Sequence, residues 1–179
     1  MFGLFSSRTP DVTVIDKVWM HKEAKYKACY QMIQIEPAYQ LVAWFRQTQI
    51  ELNTFIQQQG GNEKVYLSSD ANKLIEVSKI PVFVEHYPLA SKEQALFASL
   101  GLKEVYIFSA LDEPLFLQFG GERITSLMEK LGMLPYEEVS HNLISRSIWN
   151  AQKKIAKKIR SEQQADAQDA WFRINLPAK

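Results

Sequence analysis

Five short β-rich apolar runs alternate with stretches of helical periodicity through the first 112 residues, and that alternation restricts the fold more than any other feature. The runs of strand length are Val12–Trp19 (VTVIDKVW), Gln40–Phe45 (QLVAWF), Val65–Leu67, Val82–Glu85 and Val105–Phe108. Between them, helical periodicity covers His21–Ile35 and Gln47–Gln59, the second with Leu52, Phe55 and Ile56 on one face. Pro37 breaks the first of these helices and Gly60-Gly61 ends the second. A shorter helix is expected from Ala71 to Lys79, with Ser69 or Asp70 as its cap. Ser91 and Gln94 form a capping-box pattern for a further helix that finishes at Gly101. Parallel neighbours in a sheet need a crossover element between them, so this order predicts an open, mainly parallel sheet of about five strands flanked by helices.

Beyond Asp112 the periodicity becomes wholly helical. Glu113 and Pro114 suit a first helical turn, and Asp112-Glu113 reads as capping that favours the helix dipole rather than as an acid–base pair. Ile124, Leu127, Met128 and Leu131 recur at helical spacing and predict one inward apolar stripe, which Gly132 ends. A longer helix is expected from about Glu138 toward Ala167, with Ile144, Ile148, Ala151, Ile155 and Ile159 on its inner face. The predicted layout is an α/β domain over residues 11–112 and a helical extension over 113–179, packed on that domain or projecting from it. The closing WFRINLPAK either folds back on the core or meets another subunit.

Several function classes have no support. A single cysteine, Cys29, allows neither an intrachain disulfide nor a cysteine-cluster metal site, and its apolar helix face favours a buried, inert thiol. This suits a cytoplasmic protein. His21, His86 and His141 are too far apart in sequence to form a local zinc motif. The chain has no apolar run of the ~18–20 residues that span a bilayer, and MFGLFSSRTP lacks the basic start of a signal peptide. Phe2, Leu4 and Phe5 offer only a short greasy terminus, a weak membrane anchor at best.

Two local features remain as candidates. Glu85, His86 and Tyr87 follow a predicted strand, where open α/β sheets place ligand pockets; the competing reading is a structural Glu–His pair. Arg146, Lys153, Lys154, Lys157, Lys158 and Arg160 form a basic run with no acid between Val139 and Ser161. On a continuous helix Lys153, Lys157 and Arg160 share a face, with Lys154 and Lys158 beside it. Such a ridge suits an acidic protein or, as a third reading, a peripheral contact with anionic membrane; otherwise it is a solvated face. Net charge is only +1 and no aromatic residue interleaves with these lysines, so nucleic acid is not the expected partner.

From Glu104 onward the chain reads EVYIFSALDEPLFLQFGGERITSLMEKLGM and, after Val139, SHNLISRSIWNAQKK. In order and spacing this resembles the end of the second nucleotide-binding domain of SecA, the preprotein-translocase ATPase, and the start of its helical scaffold. Asp16-Lys17-Val18-Trp19 with Lys22–Ala28, Leu41–Phe45 with Glu51, and Lys64–Lys79 are similar to earlier strands and helices of that domain. The resemblance implies a truncated RecA-like fold and a protein partner, with translocation as the context. It also exposes losses. The family's ATN-x-AGRGTDI segment has no counterpart between Lys79 and Pro81, and aligning on Glu85 and Gly101 sets Phe97 and Ser99 where the arginines of QLRGRAGRQG would reach ATP. Such arginines commonly contribute ~10³–10⁵ in rate. No G-x-x-x-x-G-K-S/T phosphate loop occurs in the chain. The expectation is therefore a non-enzymatic interaction module with no catalytic residue, no metal and no cofactor. The alternatives are a small enzyme with a pocket at the strand ends or the peripheral membrane binder.

Overall fold

A computed structural model describes residues 12–139 and 142–176. Phe2, Leu4, Phe5 and His141 lie outside the described residues. All five strands form one parallel sheet: β1 (Thr13–Trp19), β2 (Tyr39–Ala43), β3 (Tyr66–Leu67), β4 (Ile80–Phe83) and β5 (Glu104–Ala110). Their spatial order is β1-β5-β4-β2-β3, so the first strand in sequence lies on one edge and pairs only with the last. Register sets Val14 opposite Val105 and Val18 opposite Ser109, while β4 joins β5 through Val82–Tyr106 and β2 through Leu41–Val82.

Period-two alternation splits each strand between two apolar layers. Leu41, Ala43, Val82, Val84 and Phe108 face α1 (Lys22–Ile35) and α2 (Arg46–Gln58), packing with Tyr26, Cys29, Leu52 and Ile56. Val42, Phe83, Val105 and Ile107 face the other way, toward α3 (Ala71–Glu76) and α4 (Ala90–Ser99), where Leu74 and Phe97 are buried. The expected α/β class, with a parallel sheet flanked by helices, is the observed one.

Local details differ from expectation for identifiable reasons. Helix α3 stops at Glu76 rather than Lys79, because Ser78 turns to a left-handed φ of 57° and the Lys79 N–H returns to the Leu74 carbonyl. Ser91 lies inside α4, whose N-cap is Leu89, so the capping-box reading fails. Strand β4 starts at Ile80 and takes in Pro81, leaving Glu85 beyond its end.

The helical part comprises α5 (Pro114–Leu117), α6 (Gly121–Lys130), α7 (Asn142–Ala156) and α8 (Gln168–Asn175). A third apolar cluster joins it to the carboxyl ends of the strands, mixing Val18, Met20, Phe45 and Tyr87 with Leu115, Ile148, Ile155, Trp171 and Phe172. The Val139 N–H bonds to the Val18 carbonyl at 2.6 Å and binds the approach to α7 to the edge strand. On α7, Ile148, Ala151 and Ile155 are buried as the pattern predicts. The long helix expected up to Ala167 stops at Ala156 instead, and α8 begins only at Gln168. Glu162 is drawn inward by the Trp171 indole at 2.9 Å, and the Asn175 side chain brackets the backbone of Gln163, so the chain reverses before α8. Trp171 is fully buried and Phe172 nearly so, so the closing segment folds back on the core over residues 171–176, although Ile174 remains exposed; Pro177, Ala178 and Lys179 lie outside the described residues. The α6 stripe is also a correction: Leu127 is 57% and Leu131 77% exposed, and of the four only Met128 packs against the core.

Candidate functional site at the strand ends

Helices α1 and α2 begin at the carboxyl ends of β1 and β2, so their unpaired N–H groups converge on one edge of the sheet. Neither helix carries a side-chain cap of its own. Carboxylates from the opposite chain segments do that work. The Lys22 N–H donates to both oxygens of Asp112 at 3.0 and 3.1 Å, and the Trp44 and Phe45 N–H groups each donate to Glu85 Oε1 at 3.0 Å. Thr48 adds a hydroxyl hydrogen bond of 2.7 Å to Glu85 Oε2. Acidic side chains thus occupy the two helix ends where an anion would otherwise find donors and a favourable dipole.

Between these caps lies a cleft of about 440 Å³ whose lining includes Lys22, Lys25, Glu51, Glu85, Asp112 and Glu113. Lys25 is fully buried. Its ammonium donates to the Val84 carbonyl at 2.6 Å and to Glu113 Oε1. Burial works against that charge, but the contact with Glu113, aided by Cys29 and Glu85, outweighs it and raises the Lys25 pKa. Burial also dominates at Glu85, pushing its carboxyl up to about 7 despite Lys25 and Thr48. At the rim, Glu51 accepts hydrogen bonds from Lys22, Tyr26 and Gln47, which hold it below the usual carboxylate range against the upward effect of burial. Cys29 lies beneath, pushed up to about 12 by burial, as an inert thiol should be.

The three residues singled out after β4 do not share this cleft. Glu85 lines it, but His86 turns into the protein, with Nδ1 2.9 Å from Glu93 and Nε2 2.8 Å from Asp16. Burial opposes a charged ring, yet Glu93 and Asp16 together raise the His86 pKa to about 10. Gln152 of α7 completes the cluster by donating to Glu93 Oε2 at 2.9 Å and to the Tyr87 carbonyl at 2.8 Å. Tyr87 stacks on Phe45 with ring centroids 5.5 Å apart and donates its hydroxyl to Glu162. Its burial and the neighbouring Glu162 raise its pKa. Glu85, His86 and Tyr87 therefore tie elements together without converging on a common cavity.

Asp112 and Glu113 also have roles other than the expected one. Asp112 caps α1, and Glu113, although it is the N-cap residue of α5, makes no side-chain cap bond. Sequence reading passed over Lys25, Asp16, Glu93 and Gln152. A signal existed for Lys25 and Gln152: each is a polar residue on an otherwise apolar helix stripe, beside Cys29 and Ile33 or beside Ile148 and Ile155.

All six basic candidates, Arg146, Lys153, Lys154, Lys157, Lys158 and Arg160, are exposed. They form no continuous helical ridge, because α7 ends at Ala156 and the last three lie in the following turn. An aromatic does accompany them, contrary to expectation: the Lys153 ammonium sits 3.8 Å from the ring centroid of Trp149, which is 51% exposed. Phe97 is fully buried and Ser99 bonds back to the Leu96 carbonyl, so neither offers a cation. Among the described residues no group of three or more His, Cys, Asp or Glu is placed to hold a metal ion, and no helix is long and apolar enough to cross a membrane.

No family model matches the chain. Curated relatives match it over a short stretch. Protein translocase subunit SecA of Desulforapulum autotrophicum is 48% identical over 48 residues, which is 27% of this chain and 6% of that protein. SecA of Acidithiobacillus ferrooxidans is 44% identical over 48 residues, and SecA 1 of Alkaliphilus metalliredigens is 42% identical over 55 residues, 31% of this chain. The matched stretch spans only about 5–6% of the length of these relatives. Roughly a quarter to a third of this chain is accordingly a segment related to SecA.

Proposed function

We propose that this chain is a non-enzymatic interaction module derived from a second nucleotide-binding domain of the SecA type and the start of its scaffold, acting in the cytoplasm in a process related to protein translocation. The observation that carries this reading is the strand-end edge. There Asp112 and Glu85 occupy the N-termini of α1 and α2, and both lysines of the cleft are already paired, Lys22 with Glu51 and Lys25 with Glu113. A triphosphate brought to that edge would meet carboxylates. Strand β4 bonds to β2 on one side and β5 on the other, so the sheet is continuous without the family's glycine-rich coupling segment. Phe97, at one of the aligned arginine positions, supports the core instead.

The partner-facing surface in this reading is the basic segment from Arg146 to Arg160, with Trp149 under Lys153 as an apolar anchor at its edge. Aromatic and basic residues together suit an acidic protein surface. The test is capture of partners from the native cell by the intact chain, alongside a Lys153→Glu/Lys157→Glu variant with unchanged melting temperature. Loss of a specific captured protein in the variant is expected. Identical capture by both chains would overturn the assigned surface, and phosphate release from ATP by the purified chain would overturn the module reading.

A further inference from the structure

We propose that the strand-end cleft receives a cationic side chain, a lysine ammonium or an arginine guanidinium presented by a partner polypeptide. The inference rests on hydrogen-bond accounting inside the cleft and does not use the basic segment on the far helix. Glu113 lines the cleft with a side chain only 5% exposed. Its Oε1 takes the Lys25 ammonium, whereas Oε2 is buried and has no hydrogen-bond partner. A buried carboxylate oxygen without a donor is costly, so a group that brings a donor to it gains more than it would at a satisfied surface.

The other polar groups of the cleft decide which donor fits. Asp112 takes the Lys22 N–H on both oxygens, Glu85 is filled by the Trp44 and Phe45 N–H groups and the Thr48 hydroxyl, and Gln168 is held between the Leu115 N–H and the His86 carbonyl. Both lysines are neutralised by acids within the same cleft. Five carboxylates, Glu51, Glu85, Asp112, Glu113 and Asp169, face the ammonium groups of Lys22 and Lys25 and the Arg173 guanidinium beside Asp169, and acids remain in excess even with Glu85 protonated. An anionic ligand would be repelled and a neutral donor would leave that excess uncompensated. A cation supplies both the missing N–H and the missing charge. Asp169, with a side chain 61% exposed and 3.5 Å from Arg173, stands at the mouth with the partly exposed Glu51, and an entering basic side chain would share these carboxylates with Arg173 and Lys22.

The test uses a fluorescein-labelled penta-arginine peptide and the intact chain, followed by fluorescence anisotropy at low and high salt. Saturable binding is expected, weakened about tenfold by Glu113→Gln and by a smaller factor by Asp169→Asn or Glu51→Gln. Glu113→Gln removes the counter-charge of buried Lys25 and its fold must be checked by thermal melting; Asp169→Asn and Glu51→Gln test the cleft independently if it does not fold. Glu76→Gln, an exposed acid on α3, is the control and should bind like the parent. Absence of saturable binding, unchanged binding in the folded Asp169→Asn and Glu51→Gln variants, or an equal loss in Glu76→Gln would each overturn the proposal. None of these results bears on nucleotide binding or on partner capture through Lys153 and Lys157.

Discussion

His86 meets a carboxylate at each ring nitrogen, and only the imidazolium can donate to both at once. Losing its proton would leave one carboxylate facing a ring lone pair in a site shut off from water, which explains the rise of its pKa from 6.5 to about 10. The folded value exceeds the unfolded one, so the cluster's contribution is complete below the unfolded pKa and disappears as pH climbs through the folded one. Stability should therefore fall between about pH 6.5 and 10, by up to ~1.4 kcal/mol per pH unit. Denaturant titrations at a series of pH values should show that slope in the parent and a flatter one in His86→Gln; equal slopes would remove His86 as the cause. The sequence offered His86 beside Glu85 as a pair, but the true partners, Asp16 and Glu93, come from β1 and α4. Asp16 lies on the side of β1 shared with Val14 and Val18, an inward position for a charge and the one local sign that a partner was waiting. Lys25 was legible in the same way, as a lysine one turn from buried Cys29, whereas its acid lies 88 residues on and no local pattern could name it.

Periodicity identifies an amphipathic element without saying what covers its apolar side. Helices α6 and α8 show the two outcomes. The stripe on α6 is as regular as any in the chain, yet Leu127 and Leu131 stay exposed, while Met128 packs against the cluster and Ile124 borders an apolar groove shared with Ile144 and Ile148. Gly121 opens that helix for a steric reason: a Cβ there would stand 2.2 Å from the Leu111 carbonyl oxygen. Trp171 sits in a short, less obvious helix and is wholly buried against Tyr87 and Phe172. Leu127→Ser and Leu131→Ser should each change unfolding free energy by no more than ~0.5 kcal/mol, while Trp171→Ala should cost about 3–5 kcal/mol. Chemical denaturation of the three variants checks the ordering, and a large loss from Leu131→Ser would mean that α6 is covered. The stop of the predicted long helix at Ala156 was not legible, since Glu162 and Asn175 act only through residues brought close by folding.

The five strands and their parallel sense follow from the alternation of apolar runs, but their order does not. Nothing local places β1 beside β5, some 90 residues later in sequence, and that pairing runs over seven residues. It also brings the helical part into the structure of the sheet. Glu113 neutralises Lys25 under α1, Gln152 joins the His86 cluster, and Trp171 covers Tyr87. A truncated chain ending at residue 112 should therefore lack a cooperative thermal transition, and circular dichroism melting decides this; a sharp transition in the fragment would show that the sheet stands alone. The same connections fix Asp112 and Glu85 on the two helix ends that face the cleft, and the proposed function takes those ends as closed to phosphate. Calorimetric titration of the intact chain with magnesium and ATP tests this claim most directly. The account predicts no binding heat beyond dilution, and a saturable one-to-one isotherm would contradict it.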